Sequence, residues 1–501
     1  MDFFYIGLAQ LGRLDVVLAM VFGAIIGVIV GAIPGAGAAV TIAILLPTTF
    51  SMDPLVGITL LLGVYCGSAY GCAIPSVLIN VPGSPVAVLT AQEAYPMTLR
   101  GEGRRAMSLA YSSSFVGGVI AVCAMIFLTE PLARFASRFG SAEFSMVALF
   151  ALVLVIVGHV GQRVEATAAL VFGMFLATIG VERAFNTQRF TFDQTYLMSG
   201  MPLVPVVIGL FAINQAIVQL TDKNDKLPNH KLEGRFFDGF FEIFKYPVTL
   251  FGSSFFGVLC GILPGVGEFM AQQVSYTVAK RFAKTRDMFG KGSPEGIIVS
   301  EATNNAVPPA AFIPMLALGI PGEELTAMML AVFLVHNVVP GPQLFIDRPE
   351  FVAGLYTTLL LMNVVIIVFL MVATKWIARI ATVNKRFVGT IILTLSLVGT
   401  YVSSYRLSDP IIALFFGFLG YILRRHKWPV TPILLGLVMG PIVEGRFRQA
   451  LGTANGDFTV FVQRPISATM VAAIVLLIGF AIWQATQRKS LPKAVEEHGH
   501  Y

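Results

Sequence analysis

The sequence predicts an all-α polytopic integral membrane protein built as two inverted-topology repeats with broken helices and re-entrant hairpins. Three observations predict it. First, the 501 residues are 56% hydrophobic and only 12% charged, with a mean hydropathy of +0.79, whereas a soluble chain of this size would be about one quarter charged. Second, a helix-breaking phrase, P-G-x-G followed by P-x6-P-G, occurs twice: at Pro34-Gly35-Ala36-Gly37 with Pro75 to Pro82-Gly83, and at Pro264-Gly265-Val266-Gly267 with Pro314 to Pro321-Gly322. Third, the positive loops around the two copies exchange places.

Most of the chain lies in apolar runs bounded by short polar loops, and about 20 residues cross a bilayer core. The first repeat and its following membrane helices occupy 1–220, with spans at 16–33, 36–50 and 55–72, a segment 74–98 that carries the P-x6-P-G break, and four further spans at 106–129, 144–158, 164–181 and 203–220. A polar cytoplasmic linker, 221–246, carries Lys223, Lys226, Lys231, Arg235 and Lys245. The second repeat and its helices fill 247–487, with spans at 247–263 and 265–282, the broken segment 296–340, and spans at 351–374, 387–403, 410–423, 429–444 and 466–486. A polar tail, 488–501, closes the chain.

Charge sets the orientation. The turn 51–53 has no Lys or Arg, whereas 100–105 has Arg100, Arg104 and Arg105; in the second copy the inner loop 280–291 is basic and the loop after it, 341–350, has only Arg348. By the positive-inside rule, 51–53 and 341–350 face out, while 100–105 and 280–291 face in. The copies therefore insert upside down relative to each other, and on this count each P-x6-P-G segment is the re-entrant one. Whether 16–50 makes one kinked span or two decides the side of the N-terminus.

Repeated breaks inside apolar sequence need a reason, because an interior Pro costs about 3 kcal/mol and bare peptide groups cannot face lipid. A helix that starts in mid-membrane presents free N–H groups and about half a positive charge, and paired broken helices in two halves point to a transporter site. Four such starts follow Pro34-Gly35, Pro82-Gly83, Pro264-Gly265 and Pro321-Gly322. An anion held there would rest on Gly35, Gly37, Gly83, Gly265, Gly267 and Gly322, with Ser68, Ser84, Thr90 and Asn80 as polar neighbours. The apolar runs that carry the breaks hold no Lys or Arg in their interiors.

Carboxylates at membrane depth cost roughly 2.5–3.5 kcal/mol, so Glu268, Glu301, Glu323 and Glu324 need explanation. Glu301 and Asn305 are four apart on one helical face, which with Asn304 and Glu323 gives an oxygen set for Na+ or H+; Glu301 as a solvated or capping residue is the competing reading. Glu323 and Glu324 also suit a helix-capping role, and His336 a packed one; Asn363 is a weaker polar candidate. Cys66, Cys72, Cys123 and Cys260 lie in apolar runs without a C-x-x-C and read as small packed hydrophobes. His498 and His500 read as a disordered end rather than a metal site. There is no basic n-region or cleavage site for a signal peptide, no P-loop, H-E-x-x-H or G-x-S-x-G motif, and no basic patch with interleaved aromatics for nucleic acid.

These residues resemble the large membrane subunit of tripartite tricarboxylate transporters, the TctA family. The resemblance is carried by Gly31 to Gly37, Val81-Pro82-Gly83 with Tyr95-Pro96-Met97, Phe289-Gly290-Lys291-Gly292 with Glu295-Gly296, Ser300 to Ala306, Leu318 to Gly322 and Pro340-Gly341-Pro342. Glu268 and Glu323-Glu324 depart from the family pattern by adding negative charge beside an anion site. The resemblance implies a permease of the bacterial inner membrane that works with a small membrane subunit and a periplasmic solute-binding protein. It would take up di- or tricarboxylates on a Na+ or H+ gradient, with no bound cofactor. A stand-alone carboxylate exchanger or channel is the alternative, and an intramembrane enzyme a remote one.

Overall fold

The computed structural model describes residues 2–182, 186–222, 237–380 and 383–489. Lys223, Lys226, Lys231 and Arg235 of the linker, and His498 and His500 of the tail, lie outside the described residues. Eight helices among those described are long and apolar enough to cross a membrane.

The first unit contains α1 (Asp2–Gln10), α2 (Leu14–Gly31), α3 (Ala38–Thr49), α4 (Pro54–Gly71), α5 (Ala73–Ile79) and α6 (Val88–Leu99). Helix α4 starts where Asp53 accepts a hydrogen bond from Leu55 N at 3.0 Å, with Pro54 in the first turn, the arrangement favoured at helix N-termini. Helices α2 and α4 run parallel. Gly23, Gly27 and Gly31 face Leu60, Val64 and Ser68 in turn, so closely that a Cβ on Gly27 would stand 2.5 Å from Val64 O. Small residues allow this approach, which gains dispersion energy where lipid offers no hydrophobic drive.

Both helices begin at one end of the molecule, where Arg13 pairs with Asp53 at 3.4 Å. Helix α3 therefore returns to the end from which α2 departed. Residues 16–50 go out and back, with Pro34-Gly35 at the tip.

After this unit come α7 (Gly103–Ala136), α8 (Ser141–Gly158), α9 (Arg163–Ala177), a two-residue antiparallel strand pair, β1 (Gly180–Val181) and β2 (Gln188–Arg189), then α10 (Thr195–Met198), α11 (Leu203–Val207) and α12 (Asn214–Thr221), the last two joined by a π-helical stretch, Ile208–Ile213. The second unit repeats the pattern as α13 (Pro247–Ile262), α14 (Gly267–Phe282), α15 (Pro294–Leu318) and α16 (Glu324–Val335). Here α13 parallels α15: Gly257 lies against Thr303 and Ala306, and Gly261 against Val307 and Ala310. The starts of α13 and α15 and the end of α14 are tied by Glu295, which accepts from Thr249 Oγ1 at 2.8 Å and Thr285 N at 2.7 Å. The chain closes with α17 (Leu344–Asp347), α18 (Pro349–Ile380), α19 (Lys385–Ser404), α20 (Ser408–Arg425), α21 (Thr431–Thr453), α22 (Val460–Gln463) and α23 (Pro465–Lys489). Only 11% of the apolar window of α23 is buried, so this helix lies on the periphery.

Two expectations about the breaks are corrected. The helical hairpins are α2–α3 and α13–α14, with the P-G-x-G phrases at their tips; the P-x6-P-G segments are not hairpins but interrupt the helices beside them. The first Pro of each segment does not break the helix either. Pro75 lies inside α5 and Pro314 inside α15. The helices end five residues later at left-handed Asn80 (φ 55°) and Gly319 (φ 71°), where Val81 N and Ile320 N turn back to the carbonyls of Pro75 and Pro314 at 3.4 and 3.5 Å. A left-handed cap followed closely by Pro is a helix terminator, and this explains the spacing of the phrase. The early α1, the strand pair and the π-helical stretch have no counterpart in the sequence reading.

The two units run in opposite senses between the same two ends. Beyond its break, α6 finishes near the start of α15, where Arg100 donates to Lys291 O at 2.8 Å; beyond its own break, α16 finishes near the start of α4, where His336 Nε2 meets Thr49 Oγ1 at 3.2 Å and lies against Gly57. The stronger clasp is Glu93. Its fully buried carboxylate accepts from Gly290 N at 2.6 Å, Ser293 N at 2.9 Å and Gly292 N at 3.2 Å, and from Tyr276 Oη.

Glu93→Ala would strand four donors, at about 1–3 kcal/mol for each buried one left unpaired. It is expected to lower the melting temperature of the purified protein well beyond Glu93→Gln; equal melting curves would remove the clasp.

Candidate functional site

A cavity of about 750 Å3 opens between the units. All four half-helix starts reach it. Gly35 and Gly37 lead into α3, Gly83 and Ser84 into α6, Gly265 and Gly267 into α14, and Gly322 and Glu323 into α16, and each of these residues lines the wall. The breaks are tied in matching pairs: Gly35 N donates to Gly83 O at 3.4 Å, and Gly265 N to Gly322 O at 2.6 Å. One glycine of each hairpin tip thus bonds the glycine of the adjacent broken helix. Ser68 also lines the cavity; Pro34, Pro82, Pro264 and Pro321 stand behind it, shaping the chain rather than forming the wall. Asn80 is not in the wall: it is the exposed left-handed cap of α5.

Tyr65 of α4 crosses to the second unit. Its hydroxyl is hydrogen-bonded to Glu323 at the head of α16 and lies 3.2 Å from Glu268 Oε1 in the first turn of α14. Glu324 accepts from Thr431 Oγ1 at 2.6 Å. Tyr65 and Asn304 hold the same place in the two units, each ten residues before the first Pro of its P-x6-P-G. Asn304 donates to Ala69 O at 3.4 Å, and its Oδ1, fully buried, has no partner among the described residues.

Glu301 is elsewhere. Neither it nor Asn305 lines the cavity. Glu301 is fully buried between α6, α7 and α15, accepting from Thr90 Oγ1 at 2.5 Å and Ser114 Oγ at 2.8 Å, while Asn305 Nδ2 donates to Ser114 Oγ at 2.8 Å. The solvated or helix-end reading of Glu301 is thereby overturned. The four expected ion-coupling residues divide into a buried hydroxyl-bound carboxylate with Asn305, a buried amide at Asn304, and Glu323 in the cavity wall. Asn363 bonds Tyr70 Oη at 2.8 Å and serves packing between α4 and α18.

Sequence reasoning missed Arg424, Gln215, Asn214 and His159, all in the wall. They come from helices outside the repeated phrases, and no local pattern marks them. Arg424, at the end of α20, bonds Gln215 of α12 and with Trp428 stands exposed at the mouth. The mouth lies toward the basic loops. Helix α18 starts at the Arg13–Asp53 end, where Gly354 touches Gln10 and Leu55; it leads to Lys385, which pairs at 2.7 Å with Asp222 just after α12.

A hollow between two helical units of a multi-pass protein, walled by half-helix starts, is the arrangement of a membrane transport protein. The comparison with known families is specific: the profile of the tripartite tricarboxylate transporter TctA family matches residues 17–435. The chain belongs to that family. It is 30% identical over 463 residues, 92% of each chain, to an uncharacterized 52.8 kDa protein from the TAR-I ttuC' 3' region of Agrobacterium vitis. It is also 31% identical over 242 residues, 48% of this chain and all of the relative, to an uncharacterized protein from the TAR-II ttuC' 3' region of the same organism. No solved structure matches.

Proposed function

We propose that this chain is the large permease subunit of a tripartite secondary transporter of the bacterial inner membrane, taking up di- or tricarboxylates handed over by a periplasmic binding protein. The observation that carries the reading is the convergence of four glycine-marked half-helix starts on one cavity. Each start contributes about 0.3–1 kcal/mol to a bound anion, and up to ~2 where partly buried, so the set offsets much of the dehydration of a carboxylate. Arg424 at the mouth adds a guanidinium to the cavity wall. Its volume is within the range of small-molecule sites.

The two units insert with opposite topology, and the basic loops 100–105 and 280–291 lie in the cytoplasm by the positive-inside rule. The cavity, whose mouth is on that side, is then the inward-open state. A small membrane subunit completes the permease, and a Na+ or H+ gradient drives it. Glu323, Glu301, Asn304 and Asn305 are the groups available to a coupling ion.

The test is uptake of labelled di- and tricarboxylates by cells expressing all three components. Uptake by this chain without the binding protein would favour a stand-alone exchanger instead. Asn305→Ala, which leaves Ser114 without its amide donor, is expected to weaken the cation dependence of uptake more than the apparent affinity for carboxylate. A change confined to substrate affinity would move Asn305 to the substrate site.

A further inference from the structure

We propose that Glu268, Tyr65 and Glu323 hold one exchangeable proton on the cavity wall, and that this proton crosses the membrane with the substrate. The inference rests on the transport reading above and narrows its driving ion to H+.

The argument is a count of protons. Tyr65 Oη contacts two carboxylate oxygens, Glu323 Oε1 and Glu268 Oε1. A phenol has one O–H to give and lone pairs to accept with. If it donates to Glu323, its contact with Glu268 is a hydrogen bond only when Glu268 is protonated and donates to Oη. With both carboxylates ionised, one contact would set two lone-pair-bearing oxygens against each other. Two negative charges on one hydroxyl would also repel each other. Among the described residues no Lys or Arg forms an ion pair with either carboxylate. The other titratable or charged groups around the trio are Cys66 on α4, Glu324 on α16, His159 at the end of α8 and Arg424 at the end of α20. Glu324 is bonded to Thr431 and Arg424 to Gln215.

A second, independent observation points to a ligand with a hydrogen to give. Asn214 lines the same cavity and is only 4% exposed, its Nδ2 bonds Leu210 O at 3.0 Å, and its Oδ1 accepts from nothing among the described residues.

The charge balance supplies the coupling. A polycarboxylate entering beside two ionised glutamates meets two negative charges; with the shared proton in place it meets only one, so the loaded site holds the anion better. After the substrate leaves, the carboxyl O–H bond ionises: the proton passes to water on the side of release, the electron pair stays on the carboxylate, and no bond of the substrate changes. The trio spans both units, so it senses their relation to the bound anion directly.

The experiment uses the complete three-component system in proteoliposomes with a pH dye inside, without Na+. Wild type is expected to acidify the lumen as labelled dicarboxylate or tricarboxylate enters. A one-unit pH gradient should drive about tenfold accumulation per proton carried. In Glu268→Gln and Glu323→Gln the carboxamide replaces the exchangeable proton with fixed N–H donors. Both variants are expected to give a monodisperse size-exclusion profile like wild type, which shows they are folded, and to lose the roughly tenfold pH-driven accumulation and the lumen acidification, any substrate they still carry entering without protons. Tyr65→Phe should do the same. Accumulation that follows the pH gradient undiminished in the two glutamine variants overturns the proposal, as does wild-type uptake that requires Na+ and moves no protons. Absence of any carboxylate exchange by wild type would overturn the transport reading itself together with this one.

Discussion

Gly37→Val is expected to abolish carboxylate uptake while leaving the amount of protein in the membrane unchanged. Gly37 is the N-cap of α3, its φ of −17° is not in the left-handed region, and a Cβ built on it would meet nothing within 4 Å. The fold has room for the new side chain, and that room is the cavity. The isopropyl group would stand over the free N–H groups of α3 and exclude both the anion and the water that replaces it. Losing one partly buried helix start, at up to ~2 kcal/mol, plus steric exclusion, should lower uptake about a hundredfold, or ~2.7 kcal/mol. Gly322→Val, at a half-helix start of the second unit, is the companion test, since its nearest neighbours are an ordinary 3.5 and 3.7 Å from the added carbon. Gly83→Val would be a poorer probe, because its Cβ would lie 2.6 Å from Gly31 O and 2.8 Å from Cys72 Cα, so lost transport would not be separable from lost packing. Initial uptake rates with immunodetection of the membrane fraction decide the matter; wild-type rates in Gly37→Val would take this helix start out of the site.

The second large effect is on folding. Gly27→Leu should prevent accumulation of folded protein. The new Cβ alone would sit 2.5 Å from Val64 O and 2.8 Å from Gly63 O, and both obstacles are backbone, so neither can turn aside as a side chain would. Overpacking typically costs 1–3 kcal/mol and occasionally more. Here α2 and α4 must separate along the seam that sets both breaks, so the loss should exceed ~4 kcal/mol, the level reserved for a few named mechanisms. Gly445→Ala, on α21 with no atom within 4 Å of the added carbon, is the control and should fold normally. Fluorescence-detected size exclusion of the two variants is enough to test this. A monodisperse Gly27→Leu peak at wild-type height would show that the seam yields.

Much of this was legible in the chain. Length, hydropathy and caps place most helices within a few residues, because Asp53-Pro54 and Ser293-Pro294 are strong starts and each P-G is a strong stop. The four glycine phrases could be recognised as parts of one site because they recur in register. Which phrase makes the hairpin could not be read, because Pro75 and Pro314 look like breakers while the turn is made five residues on, by one Asn and one Gly. The polar cluster around Glu301 was half visible: Asn305 is four residues away, but Thr90 and Ser114 come from helices about 200 residues earlier. Arg424 and Asn214 were invisible for the same reason. Their helices carry none of the repeated glycine-proline phrases, and only tertiary packing turns them toward the hollow. Tyr65 gave a faint signal, its position matching that of Asn304 when the two phrases are aligned.

The exchange of clasps between the units bears on how the protein is made. Glu93 waits for the amides of Gly290, Gly292 and Ser293, and Tyr65 for Glu268 and Glu323. The ribosome must therefore synthesise nearly two hundred more residues after α6 before the first interrupted helix finds its intended partners. Until then its open peptide groups have to be sheltered by water or by the insertion machinery, and a nascent chain arrested before residue 290 should be a favoured target for membrane proteases.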